Sequence, residues 1–590
     1  MVKFDSFDKN FKVPFGPTKI LTKQSFFIQT RDEEQVTKAE LVVYQDEHWE
    51  HPEEIIPMQQ RSNGHYQASF YASQAGLYFY FFHLYTADGE MYYGCVDGGY
   101  GGVGQVYQER SAVQMYQLTV FADDYVVPEW YADAIFYHIF VDRFNNGNLD
   151  GHVNEPKADS FIYGTHEDLP YYVKNEQGEI VRWDFYGGNF KGIIQKLPVL
   201  KEMGFTALYL SPIFESRSNH RYDTGNYLKV DGVLGTLQDF DDLIKAVHQA
   251  GMHVILDGVF NHVGADSMYF NATGRYPEIG AAQDPASPYY DWFSFKKFPT
   301  EYVSWWGVAD LPAIRKDSKS FQNFIAGKTS SSVINYWTGR GVDGWRLDVA
   351  DELTDEFIFK IRRRLEEYGN KILVGEVWED ASHKIAYGKR RHYLQANGLQ
   401  AVMNYPLRQL IIDLLTGKIT PVTMVQQYLT LKQNYPPAIF DHNFNNIGTH
   451  DTKRVLSILA EDLQKLKLAF FLLLTLPGVP CIYYGDEVGM TGGADPDNRR
   501  FYPWSKENLV IKSWVKQLLD QRHADPLLKN DAAITMKAQE NCLVYQRSKG
   551  EESELFVLNP TSTEQKITVQ TKKGMQEVCL AAYEPKIISE

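Results

Sequence analysis

The sequence predicts an α/β protein built on a (β/α)8 TIM barrel, with a small domain inserted after the third barrel strand and a β-sandwich at each end. Short apolar, strand-like segments alternate with amphipathic helical stretches through the middle of the 590-residue chain, whereas both ends show only strand-like runs. A long aromatic interval also follows the third segment and exceeds the length of a simple loop. We therefore divide the chain into residues 1–125, 126–515 and 516–590, with the inserted domain at 263–312.

The first 125 residues read as an all-β domain. Five runs alternate apolar and polar residues or are rich in aromatic residues, as half-buried strands are: Ser25–Gln29, Ala39–Tyr44, Tyr66–Tyr71, Gly76–Tyr85 and Val113–Phe121. Turn-forming groups such as Ser62-Asn-Gly64 separate them, so a β-sandwich is the natural interpretation. The stretch Asp123–Trp130 is the predicted linker to the next domain.

Eight strand-like segments follow, which is the number that a (β/α)8 barrel requires. They are Ile135–Val141, Ala207–Pro212, His253–Val259, Gly344–Ala350, Ile372–Val377, Ala401–Asn404, Asn446–Gly448 and Val479–Tyr484. Amphipathic helical stretches lie between them at Gly192–Met203, Leu237–Ala250, Ser320–Thr338, Thr354–Tyr368 and Glu461–Leu474. This alternation predicts parallel βα units.

The last part of the chain loses the helical period again. Strand-like runs return at Ile534–Ala538, Leu543–Arg547, Leu555–Leu558, Lys566–Gln570 and Glu577–Leu580. They predict a C-terminal β-sandwich.

Composition excludes several classes of partner. The net charge of −16 argues against nucleic acid and anionic membranes. The four cysteines show no CxxC or Cys/His spacing, so neither a disulfide framework nor a zinc site is indicated. The N-terminus lacks the apolar core of a signal peptide, and the apolar run Leu468–Leu476 is too short to span a bilayer. We expect a cytoplasmic protein, and its 14% share of aromatic residues suits the binding of sugar rings.

Polar side chains cluster where four of the predicted barrel strands end. The third segment ends in Asp257 and His262, the fourth carries Arg346 and Asp348, the fifth ends at Glu376, and the seventh is followed by His450 and Asp451. The carboxyl ends of barrel strands form one mouth, where the chemistry takes place. The sequence therefore predicts a site that combines at least three carboxylates, an arginine and two histidines.

Converging carboxylates serve either metal binding or the cleavage of glycosidic bonds. A catalytic metal site would show a ligand-rich spacing such as HxH or HExxH, which the chain lacks. Glycosidic cleavage needs one carboxylate that attacks the anomeric carbon and one carboxyl group that protonates the leaving oxygen. Arg346 would keep Asp348 ionised for the attack. Neighbouring carboxylates and apolar side chains would raise the pKa of Glu376 for its role as the acid.

These motifs resemble the α-amylase superfamily, glycoside hydrolase family thirteen, and within it the neopullulanase, cyclomaltodextrinase and maltogenic-amylase group. The matching stretches are FYHIFVDRF (136–144), ALYLSPIFES (207–216), HRYDTGNY (220–227), DGVFNHVG (257–264), GWRLDVADE (344–352), GEVWED (375–380), GTHDTKR (448–454) and GDEVGMTGGADPDNRR (485–500). They follow the family's order and barrel positions between residues 134 and 504.

The resemblance implies a retaining mechanism and a role for each matching residue. Asp348 would be the nucleophile, Glu376 the general acid/base, and Asp451 the carboxylate that binds sugar hydroxyls and stabilises the transition state. The implied substrate-binding residues are Arg346, which positions Asp348, His262 and His450 at the cleavage subsite, Tyr222 as a stacking ring, Asp495 and Arg499 on the donor side, and Trp378, Asp351 and Glu352 on the acceptor side.

Two features depart from the family's pattern. WWGVADLPAI (305–314) and VADE (349–352) stand where the group usually shows MPKLN and VANE, so the linkage preference is left open. The family's calcium loop resembles DRFNNGNLDG (142–151) with GGN (187–189), and the implied ligands are Asn146, Asn148, Asp150, the Gly187 carbonyl and Asn189. Asparagine replaces aspartate at two expected positions, so a plain Asn/Gly turn is the alternative. No other cofactor is expected.

The expected function is hydrolysis of α-1,4 bonds in maltodextrins, cyclodextrins and pullulan, with α-1,6 cleavage and transglycosylation beside it. One alternative is a debranching enzyme of the same fold that prefers α-1,6 bonds. The other is an inactive glycan-binding relative, which would have lost a carboxylate that this chain keeps. The N-terminal domain resembles the starch-binding-type domain of this group, which implies a homodimer.

Overall fold

The computed structural model describes residues 2–31, 35–61, 64–122, 126–395 and 398–589. Ser62 and Asn63 of the predicted turn, and residues 123–125 of the predicted linker, lie outside the described residues. β-Sheets occupy the chain up to Phe121, a parallel barrel follows, and β-sheets return from Ala533.

Within the described part of the chain, eight parallel strands form one barrel sheet. They are β1 (Phe136–Ile139), β2 (Ala207–Leu210), β3 (His253–Gly258), β4 (Gly344–Leu347), β5 (Ile372–Gly375), β6 (Ala401–Val402), β7 (Phe444–Asn446) and β8 (Val479–Tyr483). Each strand pairs with the next from β1 to β6, and the sheet continues from β1 to β8 to β7. A parallel bridge from Met403 to Phe444 joins β6 to β7 and closes the barrel. The eight predicted strands are confirmed, although β7 begins two residues earlier than Asn446.

The side chains of these strands divide between two apolar cores. One core fills the barrel interior with residues such as Phe136, Tyr209 and Val374. The other lies between the strands and the helices and includes Trp345 and Leu347 of β4. Because side chains alternate along a strand, the intervening Arg346 points the opposite way, as predicted.

Helices of eight residues or more are Phe190–Met203, Leu237–Gln249, Lys319–Ala326, Asp355–Glu366, Tyr405–Leu415, Pro421–Asn434, Leu463–Thr475 and Leu509–Ala524. The prediction of one helix over Ser320–Thr338 is wrong, because a first helix ends at Ala326 and a second begins at Val333. Ser332 donates to the Gly327 carbonyl in the turn between them, at 3.0 Å. The predicted boundary at 515/516 also falls inside the helix Leu509–Ala524. No described helix is both long and apolar enough to cross a membrane.

Excursions from the barrel build the walls of its mouth. The segment between β3 and the helix at Lys319 contains the small hairpin Phe295–Lys297 and Glu301–Tyr302, in the interval where an inserted domain is predicted. A second excursion, after β1, carries the strands Ser160–Ile162, Val173–Lys174 and Ile180–Phe185. The sequence patterns did not reveal this second excursion, because its strands are short and largely exposed.

The terminal regions consist of β-sheets, as predicted, and their strands pair antiparallel except for Thr18–Lys19, which runs parallel to Tyr116–Phe121. The N-terminal strands are Lys12–Val13, Thr18–Lys19, Gln24–Gln29, Val36–Gln45, Glu54–Pro57, Gln59–Gln60, His65–Phe70, Gly76–Thr86, Gly89–Gly94, Gln105–Tyr107 and Tyr116–Phe121, and they form two sheets around an aromatic core. The C-terminal strands are Ala533–Gln539, Cys542–Lys549, Glu552–Leu558, Gln565–Thr571, Gly574–Leu580 and Pro585–Ser589.

Candidate active site

Arg346 lies at the centre of the barrel mouth and is fully buried. Its Nη1 atom lies 2.7 Å from Asp257 Oδ1 and 2.8 Å from Asp348 Oδ1. Its Nη2 atom lies 2.8 Å from Glu376 Oε2. One guanidinium therefore faces three carboxyl groups, because β3, β4 and β5 are neighbours whose carboxyl ends converge.

Burial, together with this shortage of positive charge, shifts the pKa values of the carboxyl groups. Burial raises the pKa of Asp348 well above its ordinary value, Arg346 opposes that shift, and Glu376 adds to it. Burial also raises the pKa of Glu376, against Arg346 and with support from Asp451. Two carboxyl groups that share one cation titrate as a pair, so the site is suited to holding one proton and one negative charge.

The backbone after Asp348 adopts a strained conformation that serves Glu376. Val349 has a φ of 39°, in the left-handed region that β-branched residues rarely enter. Its N–H donates to Glu376 Oε2 at 2.8 Å. On the other side, the Trp378 indole N–H donates to Glu376 Oε1 at 3.2 Å, and its ring stacks on Tyr405. Each oxygen of the Glu376 carboxyl group thus accepts an N–H group, and Oε2 also lies against the Arg346 guanidinium.

A second polar group, from the end of β7, faces the first. His450 Nε2 lies 3.0 Å from Asp451 Oδ2 and 2.5 Å from the Tyr222 hydroxyl, which also donates to Asp257. Burial would raise the pKa of Asp451, but His450 and Arg499 outweigh it and hold that pKa well below the usual range. Asp451 is therefore the carboxylate that stays ionised most firmly.

Asp495 and Arg499 form an ion pair at the same mouth. Arg499 Nη1 lies 2.8 Å from Asp495 Oδ1, and Arg499 Nε donates to the His450 carbonyl at 3.0 Å. The Tyr172 hydroxyl donates to Asp495 at 2.7 Å. Tyr172 belongs to the excursion after β1, so that excursion contributes to the wall of the site.

These groups surround a cleft of about 410 Å3. Its lining residues are His220, Tyr222, His262, Trp305, Leu311, Asp348, Val349, Glu376, Trp378, Asp451, Asp495 and Arg499. Arg346 and His450 do not line the cleft, but they contact its carboxylates Asp348 and Asp451, respectively. Asp351 and Glu352 do not line this cleft but border a neighbouring cavity.

Burial lowers the pKa of His262 to about 3, and its Nε2 has no hydrogen-bond partner among the described residues. A neutral imidazole that lines the cleft can thus bind a hydroxyl group.

The sequence patterns assign no individual role to four of the site residues. Asp257 stood in a quoted motif, but only the structure pairs it with Arg346. His220 and Trp305 also lay in quoted stretches, and Tyr172 lies in a segment without any motif. A three-dimensional contact, rather than spacing, identifies each of them.

The loop predicted to bind calcium is held by its own amide groups. Asn146 Nδ2 donates to the Gly151 and His152 carbonyls, and Asn148 Nδ2 donates to the His152 carbonyl. Asn189 Oδ1 accepts from the N–H groups of Gly147 and Gly192. Asp150 pairs with His152 and is largely exposed, and the Gly187 backbone N–H donates to Asp142. The side-chain oxygens of Asn146 and Asn189 already accept N–H groups, so a calcium ion would have to displace these hydrogen bonds. We infer that the amide network, rather than the ion, holds this loop.

The amide network leads to a first prediction. Treatment with EDTA should leave the melting temperature and the rate of maltotriose hydrolysis unchanged, since no oxygen cage is lost. Both are measured on the same dialysed sample, with Ca²⁺ added back as a control. A lower melting temperature that Ca²⁺ restores would mean that the loop rearranges around the ion.

The contact between Trp378 and Glu376 leads to a second prediction. An N–H donated to a carboxyl oxygen favours the charged form, so its removal raises the pKa of Glu376. Trp378→Phe should therefore move the basic limb of the pH profile of kcat/KM to higher pH, by up to about one unit. Trp514→Phe is the control, because the Trp514 indole N–H donates to the Lys467 carbonyl instead. A limb that stays in place or moves to lower pH would contradict the contact.

Known proteins resemble this chain in sequence and in fold. Residues 138–530 match the model of the alpha amylase catalytic domain. The chain is 32% identical to an amylopullulanase from Thermoanaerobacterium saccharolyticum over 98% of its own length and 49% of that protein. It is 33% identical to a maltogenic alpha-amylase from Bacillus acidopullulyticus, over 74% of this chain and 71% of the other.

A solved structure of a glucan-acting protein also resembles this chain in fold. The ligand-free cyclic alpha-maltosyl-(1→6)-maltose hydrolase from Arthrobacter globiformis has a TM-score of 0.69 and 28% identity, covering 79% of this chain and all of that one. The chain spans about half, or less, of the length of the amylopullulanases that it matches. The family match nevertheless covers well over half of the chain. It includes every strand-end carboxylate of the barrel and excludes the terminal sheets. The chain therefore belongs to the alpha-amylase family, glycoside hydrolase family thirteen, as its motifs predict.

Proposed function

We propose that the chain is a retaining α-glucan hydrolase that cleaves α-1,4 bonds of maltodextrins, cyclodextrins and pullulan. The observation that carries this proposal is the convergence of Asp348, Glu376 and Asp451 on one cleft, with Arg346 beneath the first two. Aromatic rings of Tyr222 and Trp378 border the same cleft and offer flat apolar faces to a sugar.

In the proposed mechanism Asp348 attacks the anomeric carbon while Glu376 protonates the leaving glycosidic oxygen. Arg346 lies against both carboxyl groups and stabilises the negative charge of Asp348, while the one proton of the pair is on Glu376 when the substrate is bound. Water then attacks the glycosyl–enzyme ester, with Glu376 as the base, and the two inversions together retain the α configuration. Asp451, His262 and Tyr222 hold the sugar during both steps.

Arg499 and Asp495 are proposed to hold sugars on the donor side, while Trp378 contributes to the acceptor side. The names of two relatives concern pullulan and α-1,6-linked maltose, so α-1,6 cleavage and transglycosylation are proposed as secondary activities. The competing function is a debranching enzyme that prefers α-1,6 bonds.

Chromatography of the products of pullulan digestion separates the two functions. Panose would mean that α-1,4 bonds are cut, as proposed. Maltotriose would mean that α-1,6 bonds are cut, and the debranching function would replace the proposal. Intact pullulan and intact maltodextrins would support the inactive glycan-binding alternative.

A homodimer through the N-terminal domain is also proposed, on its likeness to the starch-binding-type domain. Gel filtration tests it, since a mass near the 67.9 kDa of one chain would contradict it. A cytoplasmic location is proposed as well, and it is supported by four cysteines that are free in the structure.

A further inference from the structure

A second cavity adjoins the catalytic cleft and shares a wall with it. Its volume is about 770 Å3, larger than the 410 Å3 of the cleft itself. The Trp305 ring borders both spaces. The outer wall of the second cavity contains Trp306, Glu352 and Tyr387. A volume of this size is typical of a small-molecule site.

Trp306 presents its ring to solvent in a fixed orientation. The residue is 80% exposed and has a φ of 51°, in the left-handed region. Its indole N–H donates to Glu352 Oε1 at 2.8 Å, and the Trp305 N–H donates to the same oxygen at 3.1 Å. Because the ring is exposed to solvent, it does not stabilise the core. Strained backbone conformations are common at ligand-binding positions.

Tyr387 lies on the other side of Glu352. It is 74% exposed, has a φ of 52°, and sits at the tip of the hairpin Ile385–Ala386 and Lys389–Arg390. Partial burial and the nearby Glu352 carboxylate raise the pKa of Tyr387 to about 12, so its hydroxyl keeps its proton and serves as a donor. Glu352 thus connects two exposed aromatic rings.

The N-terminal domain of the same chain holds this hairpin. Asp46, at the end of the strand Val36–Gln45, forms a two-pronged ion pair with Arg390. Both side chains are largely buried. Gln117 of the same domain adds hydrogen bonds to Ser382 at 3.0 Å and to His383 at 2.9 Å, just before the hairpin. The hairpin position is therefore set by the N-terminal domain in cis.

We propose that Trp306 and Tyr387, joined by Glu352, form a sugar-binding platform for the part of an α-glucan chain that leaves the catalytic cleft past Trp305, and that Asp46 positions it. The apolar faces of glucose rings stack on the two aromatic rings, while Glu352 and Lys384 lie within the cavity to bind hydroxyl groups. This inference rests on the proposed function. It assigns a role in chain-length selection to the N-terminal domain of the same chain.

The test compares kcat/KM for maltoheptaose with kcat/KM for maltotriose. A long chain reaches the platform when it is bound for cleavage, whereas a short chain lies mainly within the cleft. Trp306→Ala should lower the ratio of the two kcat/KM values three- to tenfold, because one aromatic contact contributes about that factor to binding. Tyr387→Ala should act in the same direction. Asp46→Asn should lower the ratio about twofold or more, because a looser hairpin displaces Tyr387.

Two controls match these variants. Tyr71→Ala removes an exposed aromatic ring from the N-terminal sheets, and Asp531→Asn breaks the exposed ion pair with Lys549. Both should leave the ratio unchanged. An equal effect of Trp306→Ala on the two substrates, or no effect on either, would overturn the platform. If only Asp46→Asn left the ratio unchanged, the role of the N-terminal domain would be rejected.

Calorimetric titration with maltoheptaose separates this inference from the proposed function. If the wild-type chain hydrolyses no glucan, the proposed function fails, but the titration still reports on the platform. Weaker binding of maltoheptaose to Trp306→Ala than to Tyr71→Ala would then support the platform. Equal affinities for these two variants would reject it.

Discussion

Replacing Asp348 with asparagine lowers kcat for maltotriose by on the order of 10⁴-fold or more, because an amide oxygen cannot form the glycosyl ester. The change keeps the volume of the side chain, so the cleft retains its shape. Burial raises the pKa of Asp348, which means that the folded state disfavours its ionised form. A neutral replacement should therefore leave the melting temperature unchanged or raise it at neutral pH.

The measurement combines steady-state hydrolysis with thermal unfolding of the same preparation. Asp317→Asn, which changes an exposed aspartate outside the cleft, is the matched control and should keep full activity. Asp348→Ala with added azide should also form a β-glycosyl azide, since one direct displacement inverts the α configuration. Turnover close to that of Asp317→Asn would show that Asp348 is not the nucleophile.

Replacing Glu376 with glutamine lowers kcat for maltotriose by about 10²- to 10⁴-fold, because the leaving oxygen no longer receives a proton. The amide can still accept the N–H groups of Val349 and Trp378, so the local structure should persist. The size of the loss depends on the substrate. An α-maltosyl fluoride needs little protonation of its leaving group and should be affected much less in the first step.

Single-turnover rates for maltotriose and for the fluoride measure this difference. Azide should accelerate the second step of Glu376→Ala and give an α-glycosyl azide, in contrast to the β product of Asp348→Ala. A loss of equal size for both substrates would mean that Glu376 does not act as the acid. Asp317→Asn again serves as the control for activity.

The barrel was predictable because each strand carries a local signal. The apolar runs around Trp345 and Val374 are buried on both faces, and a short apolar run between helical stretches is readable without any long-range information. The placement of Arg346 and Asp348 on the same face of the strand also follows from the two-residue period of a strand. The helix predicted over 320–338 failed because the break at Gly327 depends on side-chain hydrogen bonds in its turn.

The contacts between distant segments could not be read from the sequence. Asp257 is 89 residues from Arg346, and Tyr172 is 323 residues from Asp495, so only the closed barrel brings each pair together. Glu352 was expected on the acceptor side, but its contacts with Trp305 and Trp306 depend on how the inserted segment folds back. The calcium ligands were inferred from resemblance, and the direction of their amide groups has no signal in the sequence.

Trapping of the covalent intermediate tests the central claim most directly. The enzyme is incubated with 5-fluoro-α-glucosyl fluoride, which forms the glycosyl ester quickly and releases it slowly, and the digest is mapped by mass spectrometry. We expect the label on the peptide that contains Asp348, at its carboxylate. A label on Glu376 or Asp451, or no label on a chain that hydrolyses maltotriose, would contradict the account.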